Sequence, residues 1–246
     1  MTQFFRNHLL RSLLSLNAII LASMSLFRIV FLLYFGTFTN TLSFPLSVVK
    51  ALVLGVRFDA VIIAYINSIV VVGFALVWFT DNQNLQKKFL SALLYYYVTL
   101  YSLVFFILCI DFGFYSYFQN HINILIFGIV EDDTHALLTT IFQNYNVPLF
   151  LTGISAQCIA LFFLCRYFIR TLKTQLIQRE NRSLLSKIGL LFFFIGLDIL
   201  LARGSVTMYP LGMMNTEISS NVFINKLPVN GVFALKEALT RTFQKF

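Results

Sequence analysis

Five apolar runs, each near the length needed to cross hydrocarbon, govern what this chain can become. They lie at 12–35, 60–79, 89–110, 147–169 and 188–202, and about 20 residues of helix span a bilayer. In lipid a chain must satisfy its own backbone groups, so each run is expected to be a helix. Apolar residues follow one another instead of alternating, which excludes a transmembrane barrel. Hydrophobic residues make up 59% of the chain and charged ones 11%, with mean hydropathy +0.82. A soluble domain cannot cover that much apolar surface. The sequence therefore predicts an all-α integral membrane protein with about five transmembrane helices in 1–203, followed by a connector at 204–246.

Charge sets the expected orientation. No Lys or Arg occurs from Asp111 to Asn146, whereas Arg166, Arg170, Lys173, Arg179, Arg182 and Lys187 crowd the next polar stretch. Loops rich in Lys and Arg stay on the cytoplasmic side. The N-terminus, with Arg6 and Arg11, is thus expected inside, the 111–146 loop outside, and the C-terminus extracytoplasmic. The run from Ser12 to Phe35 is too long for a cleaved signal and reads as an anchor. The net charge of +8 gathers at span ends and suits anionic lipid better than nucleic acid, which is not expected as a partner.

Two stretches stand between the spans. Residues 41–56 carry Leu46, Val49, Leu52 and Val53 at helical spacing behind Pro45, and predict a helix in the outer interface or a sixth span. In the acidic loop, Leu137, Leu138, Ile141 and Phe142 follow Glu131, Asp132 and Asp133. That order predicts a short amphipathic helix with acidic residues at its N-terminal end.

No nucleophile elbow, Gly-rich phosphate loop or metal-ligand spacing is present. His8, His121 and His135 are scattered, and Cys109, Cys158 and Cys165 all sit in apolar runs. The residues call for no metal and no cofactor, and the chain is expected to lack activity by itself. What remains are charges at membrane depth, which are costly. Arg28 in the first span and Asp198 in the fifth are expected to neutralise one another. Arg57, Asp59, Asp111 and Arg203 mark span ends at the outer face, where they would contact a lipid headgroup or a partner, or simply cap the helices.

Specific residues point further. Gly55-Val56-Arg57-Phe58-Asp59 enters one span, Asp111-Phe112-Gly113-Phe114-Tyr115-Ser116-Tyr117-Phe118 leaves the next, and Glu131-Asp132-Asp133 follows. The tail adds Arg203-Gly204-Ser205, Pro210-Leu211, the run Ser220 to Leu227, and the run Asn230 to Leu235. Together they resemble the membrane domain of the lipoteichoic acid synthase family across nearly the whole chain. The resemblance implies a bacterial cytoplasmic (inner) membrane protein whose tail leads toward an extracytoplasmic sulfatase-like domain with a metal-activated Thr nucleophile. No residue here matches that catalytic site. Where relatives place a basic residue after the aromatic run, this chain has His121. The implied function is a membrane module that anchors or presents lipid substrate to a catalytic domain encoded separately or lost. The alternatives are a membrane subunit of a two-protein envelope glycolipid hydrolase, such as one trimming lipopolysaccharide sugars, and a small transporter.

Overall fold

The computed structural model describes residues 8–36, 43–78, 82–127, 147–177 and 184–243. Every regular element among them is helical. Five long helices come first: α1 (His8–Phe35), α2 (Pro45–Trp78), α3 (Gln83–Phe118), α4 (Val147–Ile177) and α5 (Leu184–Arg203). A 3-10 turn at Met213–Thr216, the short α6 (Val222–Lys226) and the amphipathic α7 (Gly231–Phe243) complete the chain. Four segments are long and apolar enough to cross a membrane: Leu13–Phe35, Pro45–Val77, Asn84–Phe118 and Phe150–Thr171. The fifth helix, α5, is also largely apolar, its only charged residues being Lys187, Asp198 and Arg203. This is a multi-pass helical membrane protein. Many large apolar side chains on the spans are exposed, among them Leu33, Ile69, Leu76 and Phe163, as expected of surfaces that lipid covers.

The helices outrun the apolar runs that predicted them. Residues 45–57 form neither a separate interfacial helix nor a sixth span, because they are the opening turns of α2. Pro45 is its first residue, where a missing N–H costs nothing, and no second proline follows before the span proper. Similarly, α3 does not stop at Ile110 but carries Asp111 through Phe118 as helix. The amphipathic helix expected at 131–142 lies outside the described residues.

The chain divides into two compact units. One comprises Met1–Ser25, Asp59–Tyr101 and Ala160–Leu211, and the other Leu26–Phe58, Ser102–Ile159 and Gly212–Phe246. In the first, Gly204 adopts φ +64° and closes α5, its N–H reaching the Leu200 and Leu201 carbonyls. That is the left-handed cap glycine favours, and a Cβ there would overlap a Val61 methyl at 2.6 Å.

In the second unit the expected connector is a packed element of this chain's own core. Ile224 and Leu227 are buried against Phe31, Ala51 and Tyr115, with Val48, Leu52, Phe112 and Phe223 around them. Val229 and Ala234 pack on Phe114 and Ile122, and Phe233 meets Phe58 edge-on at 4.7 Å. The apolar residues of the tail thus pack on α1, α2 and α3. Asn230 fixes where α7 begins, its Oδ1 accepting the Phe233 N–H at 2.8 Å, the usual service of an Asn cap.

Candidate functional site

Three groups in the second unit hold the folded tail, two of them buried and the third half-buried. The first is Arg28, which α1 carries inward. Its Nη1 donates to the Leu227 carbonyl at 2.8 Å and to the Pro228 carbonyl, and its Nη2 donates to the Gly55 carbonyl at 3.1 Å. Helix-turn carbonyls are strong acceptors, and a charged donor strengthens each bond. Gly55 makes this possible: a Cβ at that position would overlap the guanidinium. Arg28 therefore lies directly along the backbone of α2 and reads two carbonyls of the tail.

The second group is Asp111, one residue beyond the expected end of its span. Oδ1 accepts the Ile122 N–H at 2.9 Å, and Oδ2 lies 2.7 Å from His121 Nδ1. The other ring nitrogen, Nε2, is 2.9 Å from the Lys226 carbonyl. A carbonyl can only accept, so Nε2 is the donor in that contact. The His121 ring stacks on Phe31 with centroids 5.4 Å apart and planes 16° off parallel. Gly231, the first residue of α7, approaches so closely that a Cβ would sit 2.5 Å from Asp111 Cβ. Only glycine lets this helix start beside the carboxylate, where its positive end is favourable.

The third group is Lys226. Its Nζ donates to the Gln119 carbonyl at 2.6 Å and lies 5.8 Å over the Tyr115 ring. Gln119 follows α3 with φ 52°, so the ammonium caps the negative end of that helix. Partial burial lowers the Lys226 pKa below the usual lysine value. Beside these groups an open cavity of about 410 Å³ is lined by Asn120, His121, Asn123, Lys226, Glu237 and Arg241, among others. Glu237 and Arg241 pair across one turn of α7 at 3.1 Å.

The remaining residues picked out by sequence fall as follows. In the second unit Arg57 is exposed on α2. In the first, Asp59 is buried, while Arg203 Nη2 donates to the Thr207 and Met208 carbonyls at 2.6 Å each and so stabilises the turn after α5. Arg28 and Asp198, expected as a pair, fall in different units. Within its own unit Arg28 donates to the three carbonyls described above, and within its own Asp198 Oδ2 accepts the Ser68 hydroxyl at 2.8 Å.

Sequence reasoning also passed over a polar set in the first unit. Tyr101 donates to Asn17 Oδ1 and Tyr97 to Asn67 Oδ1, both at 2.9 Å, while Asn17 Nδ2 donates to the Leu13 carbonyl at 3.0 Å. Tyr97 and Tyr101 are buried and stack at 5.6 Å. Amides in otherwise apolar runs were the available signal. Among the described residues no three His, Cys, Asp or Glu side chains stand close enough to hold a metal ion. No protein family, curated protein or solved structure matches the chain.

Proposed function

We propose that this chain is the membrane module of an envelope lipid- or glycan-modifying system of the lipoteichoic-acid-synthase-like type. It anchors, or presents lipid substrate to, a catalytic protein on the extracytoplasmic side. The observation that carries this reading is the tail: residues 212–243 are clamped by Arg28, Asp111–His121 and Lys226 onto the ends of α1, α2 and α3. Such a platform would set the position and angle of whatever docks there. The tail motifs that pack in this way are also the most specific part of the resemblance. The distribution of Lys and Arg favours a cytoplasmic N-terminus and an extracytoplasmic tail, in a bacterial inner membrane.

Outward-facing positions on the tail give the test. Asn225 and Asn230 are poor choices, since both are committed to internal hydrogen bonds. Val222 and Met214 are exposed. Photo-crosslinkers at those two positions in intact cells are expected to capture one extracytoplasmic enzyme of envelope lipid or glycan metabolism. A reporter active only outside the cytoplasm is expected to work when fused after Phe246 and fail near Gln178. Adducts with lipid alone, together with turnover of an envelope lipid by the isolated chain, would overturn the proposal. Activity of the reporter at Gln178 would reverse the orientation.

A further inference from the structure

A second cavity lies in the first unit, at membrane depth. It measures about 110 Å³ and is walled mainly by apolar side chains such as Leu13, Ile63 and Val70. Four helices each send one polar side chain to it: Asn17 from α1, Asn67 from α2, Tyr97 from α3 and Asp198 from α5. An apolar pocket with a few convergent polar groups is the ordinary form of a small-ligand site. Within hydrocarbon, an ionisable residue facing such a pocket is costly to keep without purpose.

The chemistry of the lining selects the ligand. Among the described residues no Lys or Arg lines the cavity, so the Asp198 carboxylate faces it without a cation from that lining. Ser68 gives Oδ2 one neutral hydrogen bond, and shares that hydroxyl with the Ala64 carbonyl at 2.9 Å. One shared hydroxyl does not balance a carboxylate in a low-dielectric setting. Two amide oxygens of the lining are held in place by neighbours: Asn67 Oδ1 by the Tyr97 hydroxyl and Asn17 Oδ1 by the Tyr101 hydroxyl, while Asn17 Nδ2 is occupied by the Leu13 carbonyl. Each oxygen keeps a second lone pair, and a carboxylate ringed by neutral oxygens is a donor set for a hard cation. The volume admits an ion with one or two waters but no lipid headgroup. We infer that the cavity between Asn17, Asn67, Tyr97 and Asp198 binds a small monovalent metal cation, of the sodium or potassium class, with Asp198 as its counter-charge.

The inference is independent of the tail and of the docking reading above. It is tested on the full chain in detergent micelles by following thermal unfolding in sodium, potassium and choline chloride at equal ionic strength. A ligand that binds only the folded state stabilises it by mass action. A tenfold excess over the dissociation constant should raise Tm by about 3 to 6 °C over choline, which is too bulky to enter. Asp198→Asn keeps the shape and the acceptor for Ser68 but removes the charge, so its Tm should be the same in all three salts. Ser68→Ala should leave the salt effect in place, with weaker affinity. Equal Tm values for the unaltered chain in all three salts would overturn the inference, and that arm needs no variant to fold. So would a salt effect that persists in Asp198→Asn. Stabilisation by acidification in choline chloride, with no effect of sodium or potassium, would assign the site to a proton and refute a metal cation.

Discussion

Replacing Arg28 with Met is expected to release the tail from the helices beneath it. The substitution removes the charged donor from the carbonyls of Gly55, Leu227 and Pro228. Truncating one side of a buried charged network costs roughly 3 to 5 kcal/mol. The loss should appear as rapid protease cleavage within 212–243 while α1–α5 stay intact. Gly55→Leu should reproduce the effect from the other side, because its side chain takes the volume the guanidinium fills. Arg28→Lys should fall between, since an ammonium keeps the charge but cannot span three carbonyls in the guanidinium's fork geometry. A tail as protease-resistant in Arg28→Met as in the unaltered chain would show that apolar packing alone secures it.

A comparable loss is expected for Asp111→Ala. The carboxylate accepts from the Ile122 N–H and contacts His121, and both its oxygens are used. Removing it strands a buried N–H and a ring nitrogen, at a cost of about 2 to 4 kcal/mol. His121→Phe keeps the stacking on Phe31 but breaks the bridge to the Lys226 carbonyl. Because the two residues form one relay, the double variant should be no worse than the more damaging single one, a coupling of about 1 to 3 kcal/mol. Thermal unfolding of the four proteins in one detergent measures it. Strict additivity would mean that Asp111 and His121 act separately.

Helix number and membrane character were legible because lipid imposes one rule on every span, and that rule is written in side-chain hydropathy. Helix ends were less so. Charged residues such as Arg57 and Asp111 mark where hydrocarbon stops, yet α2 and α3 continue past those points because residues 212–243 cover their flanks. Of the candidate residues, Arg28 was visible as a charge at membrane depth and Asp111 as a charge at a span end. Their partners were not: Arg28 is answered by backbone carbonyls about 200 positions away, and Gly55 and Gly231 matter for the side chain they lack. The amides Asn17 and Asn67 were readable in principle, as polar interruptions of apolar runs, but only the fold shows that they meet tyrosines from α3.

The length of α2 has one more consequence. Its apolar stretch Pro45–Val77 holds 33 residues, a rise of about 50 Å against roughly 30 Å of hydrocarbon. Tilt could hide the excess only beyond about 50°, outside the range spans adopt. The exposed Lys50 and Arg57 fix which end protrudes. On that end Val48, Ala51 and Leu52 would meet water, but Phe223, Ile224 and Leu227 wrap them instead. The tail thus serves as a proteinaceous sleeve that continues the bilayer's solvent beyond the bilayer. Hydrophobic mismatch, which most proteins answer by bending the lipid, is answered here by the polypeptide itself.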